Sequence, residues 1–552
     1  MKKMSGRSAF LALLKDEGVT HLFGNPGTTE LPIMYALEEH PDMHYVMAMQ
    51  ESVVVSIADG FSRASGELVA ANVHVAPGLG NAMGALYNAK FTGTPMILTA
   101  GQQEQGHGLM EPMLYDPLVR MAEPLVKWAI EVTRLEDLPR IVRRAAKIAR
   151  TPPMGPVFIS LPGDILNTEV ELDLGRRTVV DARATPAADA LHGLAERILA
   201  AENPVMVVGD ELVKSDALQE AADFASALGC PVYQQTVPYG AHFLSEHVCF
   251  MGALTRHQTQ VRDTLAPHDL LIVFGADPLR MSVHSETEAL PKGMPMVQVG
   301  LVDGDLGKNF SAEIALKADV RETFVALTPL IQQMGGDALR QLAQQRRERL
   351  ALDNWSTRRA ALVETISSRA KQSPIDADWL LLQAIEALPD NAIFVEESLT
   401  AARHIPSLLP YRDRYGFSGL ASGGIGWGLP GAVGASLANP ERPVVCFLGD
   451  GSAMYSIQAL WTAANQGCNV NVVLINNGGY RIIKQRLLSF HQSRHFVGMD
   501  FTNPAINYSE LAASMGVESV RISEGEGLFA ALQEAFARPG TKLIEVMVDG
   551  HV

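Results

Sequence analysis

Two short segments of this sequence carry residue types and spacing suited to holding a metal ion on a phosphate. Gly449-Asp450-Gly451-Ser452 follows the apolar run Val444–Leu448, and Asn476-Asn477-Gly478-Gly479 follows the apolar run Asn471–Ile475. Asp450 and Asn477 lie 27 positions apart. That is the span of one strand–helix–strand unit, so both emerge at one sheet edge on neighbouring strand ends. A hard divalent cation takes carboxylate, amide and carbonyl oxygens and keeps phosphate oxygens among its ligands. Asp450 offers the carboxylate, Asn477 the amide oxygen, and the Gly479 carbonyl completes the protein share. Gly449 and Gly451 let the backbone come close, and the amides that follow, at Ser452 and the helix start, suit phosphate oxygens. Either half alone also reads as an ordinary Gly/Asn turn. The pair at this spacing, with both strands intact, points to magnesium on a diphosphate.

Three strand ends in the first third carry further polar residues. Phe23-Gly24-Asn25-Pro26-Gly27-Thr28-Thr29-Glu30 is a strand, a Gly/Pro turn and a helix start. Ala48-Met49-Gln50-Glu51 ends a second strand, and Asn72-Val73-His74-Val75-Ala76-Pro77-Gly78-Leu79-Gly80-Asn81 ends a third. Taken singly, Glu51 reads as a helix-start glutamate favoured by the dipole, Thr28 as a helix cap and His74 as a strand-end histidine. A histidine that titrates near neutrality is also the usual proton carrier in catalysis.

The elements that position these residues alternate along the whole chain. Short β-branched runs separated by helical patterns argue for parallel sheets covered on both faces. The first third shows strands at His21–Phe23, Tyr45–Met47, Val69–Val73, Met96–Thr99 and Val157–Leu161, with helices such as Ser52–Ser65 and Asn81–Lys90. A polar linker runs over Arg176–Pro186. A second unit has strands at Val205–Val208, Val232–Gln234, Leu270–Phe274 and Met296–Val299, with the helix Ala217–Leu228. The charged stretch Leu339–Ala360 reads as a helical connector. A third unit has strands at Ala392–Val395, Val444–Leu448, Asn471–Ile475 and Leu543–Val548, with the helix Ile457–Gln466. The expected architecture is three consecutive open parallel-sheet α/β domains, over residues 1–180, 185–340 and 361–552. Ligands then belong at the carboxyl ends of strands, where crevices open.

Bulk properties narrow the function classes. The 552 residues suit about three domains. A net charge of −16 with no basic run argues against nucleic acid or an anionic membrane surface as partner. An anionic substrate then needs locally placed donors. The cysteines Cys230, Cys249, Cys446 and Cys468 form no C-x-x-C pair, so neither a zinc site nor a redox motif is spelled out. This usage fits a reducing cytoplasm. The apolar stretch Phe10–Leu14 is cut off by Lys15-Asp16-Glu17, too early for an export signal, and no segment is apolar enough over about 18 residues to span a membrane.

Gly449-Asp450-Gly451 followed by Asn476-Asn477 resembles the magnesium-diphosphate motif of thiamine-diphosphate-dependent enzymes. The likeness extends over almost the whole chain, and within the family it points to the benzoylformate decarboxylase group. It implies a pyrimidine-binding, a middle and a diphosphate-binding domain in that order. It implies that Glu51 hydrogen-bonds the cofactor's pyrimidine N1′ and that His74 moves protons to and from intermediates. Thr28, where the group carries serine, is implied to bind the substrate carboxylate, its extra methyl narrowing the pocket. His284 is implied as a second catalytic histidine, although it lies two residues later than the pattern, where Ser282 is the alternative. Ser398 and Thr400 are implied to touch the diphosphate, with turn hydroxyls as the alternative. The Gly423 carbonyl is implied to receive the 4′-amino group, and Ile425, otherwise a packing residue, to wedge between the two cofactor rings. Ile482, Ile483 and Arg486 are implied to face substrate; a solvated helix arginine is the plainer reading of Arg486. The reaction implied is decarboxylation of a small, benzoylformate-like 2-keto acid to an aldehyde and CO2, with thiamine diphosphate and Mg2+ (or Ca2+) as cofactors. Carboligation of the acetolactate-synthase kind and a non-catalytic cofactor-binding role are the alternatives. The Arg-Phe-Asp-Asp-Arg motif of acetohydroxyacid synthases is missing, so FAD is not expected. A homodimer at least, commonly a homotetramer, is implied, because the two cofactor-binding halves meet across a subunit boundary in the family.

Overall fold

The computed structural model describes residues 2–552. Three six-stranded sheets follow one another along the chain, and every pairing within them is parallel. The three-sheet α/β architecture expected from the alternating pattern is therefore the observed one. Val/Ile-rich runs such as Val444–Gly449 and Val470–Asn476 are buried almost throughout, as strands covered on both faces must be.

In space the first sheet runs His44–Met47, His21–Gly24, Val69–Val73, Met96–Gln102, Val157–Pro162, Ala129–Glu131. The third runs Phe417–Gly419, Ile393–Glu397, Val444–Gly449, Val470–Asn476, Lys542–Met547, Glu518–Ile522. Numbered along the chain, both follow the same order, 2-1-3-4-6-5. The order reverses beside the first strand of each, and a crevice opens at that switch point. In the first sheet it opens between the ends of Gly24 and Val73; in the third, between Glu397 and Gly449. The middle sheet runs Phe250–Ala253, Val232–Gln234, Pro204–Val208, Leu270–Phe274, Met296–Gly300, Ile314–Lys317, a different order, 3-2-1-4-5-6.

Several elements depart from the sequence expectation, each for a physical reason. The strands that the β-branched pattern did not reveal, Ala129–Glu131, Phe250–Ala253, Ile314–Lys317, Phe417–Gly419 and Glu518–Ile522, are all sheet edges. Edge strands are short and half-exposed, so their apolar signal is weak. Lys2–Ser5 pairs antiparallel with Glu169–Leu172 as a separate two-stranded sheet. The helix expected over Asn81–Lys90 begins at Val75, because Pro77 falls in its first turn, where a missing N–H does no harm. The helix expected over Ile457–Gln466 is the shorter Ala459–Asn465, and a separate helix, Asp450–Ser456, precedes it. Leu339–Ala360 does not leave the middle unit as a free connector. Its first part belongs to the helical run Val320–Leu350, bent at Gly336 (φ 55°), whose Phe324, Leu327, Ile331 and Leu339 join the middle core, and its end falls in a second helix, Trp355–Ser367.

One contact fixes the first sheet's crevice relative to the third. Helix Glu51–Ser65 crosses helix Gly428–Ala438 backbone against backbone. A Cβ on Gly60 would lie 2.2 Å from the Gly431 carbonyl oxygen, and one on Gly434 would lie 2.0 Å from that of Ile57. Only glycine permits this approach. Val53, Val54, Ile57, Leu429, Ala432 and Val433 then share a single core. All four cysteines are free and buried, which agrees with a packing role.

Candidate active site

Asp450 opens a helix at the carboxyl end of strand Val444–Gly449, with its side chain 2% exposed. Its Oδ2 accepts from the backbone N–H groups of Asn477 (3.1 Å), Gly478 (2.8 Å) and Gly479 (3.2 Å), and its Oδ1 from Gly451 (2.7 Å). Burial raises the carboxyl pKa, and the four backbone donors pull it back. Strand register places Gly449 opposite Ile475, so the two loops leave adjacent strands together. The Asn477 side-chain oxygen accepts from Gly479 N at 3.2 Å, and Asn476 is held by Glu545 at 2.7 Å. The Gly479 carbonyl already accepts from Arg481 N at 2.9 Å, which leaves it a second lone pair. Among the described residues no group of three or more His, Cys, Asp or Glu side chains is arranged to hold a metal ion. A cation here would therefore draw on Asp450, Asn477, backbone carbonyl and an incoming phosphate.

Glu397, which the sequence reading did not single out, ties this region together. It ends strand Ile393–Glu397 fully buried, and its carboxylate accepts from the backbone N–H groups of Gly426 and Gly428. The Ser452 hydroxyl bonds it as well, and burial pushes its pKa up to about 7. One side chain thus pins the 423–428 loop, in which Gly423 and Gly426 have positive φ, to the Gly449–Ser452 turn. Ser398 follows, buried, its N–H donating to Glu396 at 2.7 Å; Thr400 is half-buried. Leu399 between them is held at φ 43°, a strained conformation for a non-glycine residue.

Across the junction, Glu51 is the first residue of its helix, which Gln50 caps through Ser52 N and Val53 N. The Glu51 carboxylate is 7% exposed and is oriented by two amides, Asn25 Nδ2 at 3.3 Å and Asn81 Nδ2 at 3.0 Å. His74 follows strand Val69–Val73 as the N-cap of the next helix and precedes Val75, another strained residue (φ 40°). The His74 Nδ1 lies 2.7 Å from Glu30 Oε2 and 3.2 Å from Thr29 Oγ1. Glu30 is fully buried and also accepts from Gly27 N (2.9 Å) and Gly101 N (3.0 Å). Glu30, Asn25 and Asn81 lie in the segments that the sequence singles out but were given no role of their own, because an acidic or amide residue in a turn has no pattern of its own. Their proximity to motif residues is the only signal available.

The comparisons bear directly on this geometry. Residues 4–114 match the N-terminal TPP binding domain of thiamine pyrophosphate enzymes, residues 191–327 the central domain, and residues 398–546 the C-terminal TPP binding domain. A benzoylformate decarboxylase of Pseudomonas aeruginosa is 33% identical over 98% of both chains. The chain belongs to the thiamine pyrophosphate enzyme family. Acetolactate synthase isozyme 1 large subunit of Escherichia coli is 28% identical over 100% of this chain and 95% of its own. Among solved structures, a Rhodococcus jostii thiamine diphosphate-dependent 4-hydroxybenzoylformate decarboxylase superposes with a TM-score of 0.88 at 30% identity, over 99% of this chain and 100% of that one. A benzoylformate decarboxylase from Polynucleobacter necessarius gives 0.87 at 30% identity over 99% of each chain.

The remaining residues singled out for this family fall unevenly. Thr28 is exposed at the start of a 3₁₀ turn, and it is Thr29 that contacts His74. Ile425 is half-buried in the pinned loop. Ile482 is half-buried, while Ile483 and Arg486 are exposed on helix Arg481–His491, with the Arg486 guanidinium 5.8 Å from the Phe490 ring centre. His284 and Ser282 are both exposed in the irregular segment 275–295, and neither hydrogen-bonds to Glu51, His74 or Asp450. No described helix is long and apolar enough to cross a membrane.

Proposed function

We propose that this thiamine-pyrophosphate-dependent enzyme decarboxylates a small, benzoylformate-like 2-keto acid to an aldehyde and CO2, with Mg2+ binding the diphosphate. The observation that carries this reading is the pair of crevices, one ending in Glu51 and His74 and the other in Asp450 and Asn477. The oxygen donor set of Asp450, Asn477 and the Gly479 carbonyl fits a magnesium ion that also holds phosphate. Gly449, Gly451 and Ser452 supply close backbone and the first turn of a helix for the diphosphate, with Ser398 and Thr400 beside them.

When bound, the cofactor supplies an acidic thiazolium carbon and an electron sink for the departing CO2. The protein supplies orientation and proton transfer. Glu51, aimed by Asn25 and Asn81, holds a carboxyl group at the site assigned to the pyrimidine N1′. The 423–428 loop, pinned by Glu397, offers the Gly423 carbonyl and the Ile425 side chain as the support for the cofactor's bend, a positioning effect. His74 is engaged at Nδ1 by Glu30, so Nε2 is the nitrogen left to exchange a proton with substrate. The Thr28 hydroxyl is the proposed donor to the substrate carboxylate. Ile482 and Ile483 bound the acyl side, and Arg486 is assigned to the same mouth; His284 or Ser282 would complete it. The decarboxylase relatives at 30–33% identity support an aromatic keto acid. The full-length acetolactate synthase match keeps carboligation as the second reading.

Purified protein loaded with thiamine diphosphate and Mg2+ should release CO2 and an aldehyde from benzoylformate, 4-hydroxybenzoylformate or a short aliphatic 2-keto acid. Acetolactate as the main product from pyruvate would transfer the assignment to carboligation. Loaded protein that converts none of these acids would sink both.

A further inference from the structure

A second cavity, of about 320 Å³, lies away from these crevices, where all three domains meet. Its wall takes Arg63 and Thr94 from the first domain, Lys214, Tyr239 and His242 from the middle one, and Arg414 from the third. Two of these side chains carry buried nitrogens without a partner. His242 is 0% exposed, and neither ring nitrogen hydrogen-bonds to protein. Burial lowers its pKa to about 4, so at neutral pH one nitrogen donates and the other accepts. Arg63 Nη2 donates to the Tyr239 (2.8 Å) and Gly419 (3.1 Å) carbonyls, but its buried Nη1 has no acceptor. Buried polar groups left unpaired destabilise the fold unless a bound molecule satisfies them.

The donors left unpaired select the sign of that molecule. Arg63, Lys214 and Arg414 line the cavity with Asp210 and Glu67; Asp59 faces Arg63 from behind, and Asp216 lies 3.5 Å from Arg414. Asp210 is already taken by Lys214 at 2.6 Å and by the Tyr239 hydroxyl, while Glu67 sits on the exposed lip. The donors left without an acceptor are thus Arg63 Nη1, on a cationic group, and the N–H of the neutral His242 ring. The volume is at the lower end of the roughly 300–1,000 Å³ typical of small-molecule sites. We propose that this three-domain junction is a binding site for a small oxyanion, a phosphate or a carboxylate group, received by Arg63 Nη1 and the His242 ring. Arg63 also carries the site toward the active-site loop. Its guanidinium lies 4.2 Å from the Trp427 ring centre, and Trp427 follows directly on the Gly423–Gly426 segment. Trp427 should therefore report occupancy.

The test uses full-length protein already saturated with thiamine diphosphate and Mg2+, so that the diphosphate site is not available to the probe. Inorganic phosphate and, separately, malonate are titrated at constant ionic strength, followed by calorimetry and tryptophan fluorescence. Saturable binding of either, weakened at least about tenfold by His242→Phe, is the expected result. His242 makes no hydrogen bond to protein, so this variant should keep its melting temperature. Arg414→Gln, on the cavity lip, should weaken the same anion by a smaller factor and serves where His242→Phe does not fold. Binding of phosphate alone or malonate alone names the oxyanion. No saturable binding of either probe, which leaves a cavity holding water only, overturns the proposal. So does binding that both variants leave unchanged.

Discussion

Glu30 and His74 form the least expected unit at the scale of single residues. A fully buried carboxylate takes the Nδ1 side of the imidazole and two backbone amides, which fixes the ring's orientation as well as its charge partner. The ring is pressed against Gly27, where a Cβ would lie 2.1 Å from His74 Nδ1. His74→Ala should lower kcat by about 10²–10⁴-fold if the ring carries protons. Gly27→Ala should reproduce much of that loss by displacing the ring, with the far-UV circular dichroism spectrum unchanged. Normal kcat in Gly27→Ala would mean that the ring's position is irrelevant to turnover. The motif histidine was legible in the sequence. Its glutamate partner, 44 positions earlier, was not, because nothing in the chain's spacing records which turn residue folds over which.

Loops and strand ends carry the next set of consequences. Glu397 satisfies Gly426 N and Gly428 N together, so Glu397→Ala orphans two amides at about 1–3 kcal/mol each. The expected outcome is a lower melting temperature and weaker thiamine diphosphate binding, read by equilibrium dialysis; unchanged cofactor affinity would count against the loop's supporting role. Glu211, which opens the short helix Glu211–Lys214 just past the first strand of the middle sheet, has its pKa raised to about 7 by burial. The native state then holds a proton between about pH 4.5 and 7 that the unfolded chain has released, so this contribution is present at low pH and is lost as pH rises to 7. Stability should fall across that window by up to about 3 kcal/mol, and Glu211→Gln should reduce the slope, leaving the part due to Glu397 and the other carboxyls that burial raises, Glu396, Asp59 and Asp450. Urea unfolding at pH 5 and pH 8 checks it. Strand interiors such as Val444–Leu448 announced themselves by composition. Edge strands such as Glu518–Ile522 did not, because half-exposed positions admit any residue.

For the whole molecule, the decisive contact is the one between the first and third domains. Asp59, fully buried on the Glu51 helix, accepts from Trp427 Nε1 at 2.6 Å and Asn88 Nδ2 at 3.1 Å and faces the Arg63 guanidinium. Asp59→Ala leaves a buried cation uncompensated and should destabilise the protein by about 3–5 kcal/mol, with both cofactor-binding domains melting together in calorimetry. If each complete site draws its Glu51 and its Asp450 from different subunits, two dead variants should rescue one another. Mixed and refolded Glu51→Gln and Asp450→Ala chains should recover up to about a quarter of wild-type activity, because half the dimers are mixed and each holds one intact site. No recovery would place both halves of the site in one chain.

What the sequence by itself determined is the local chemistry and the class of fold. Asp450, Asn477, Glu51 and His74 stand directly after apolar runs, and alternating runs of that kind leave parallel sheets as the way to bury them. The tertiary structure decided everything that depends on contact between distant segments. It showed that the first and third sheets repeat one strand order, and that Gly60, Gly431 and Gly434 let two helices touch. It also showed that Glu30 and Glu397 are buried where they orient motif residues. Spacing along a chain encodes the period of a strand or helix; which side chains become neighbours across domains is set only when the cores close.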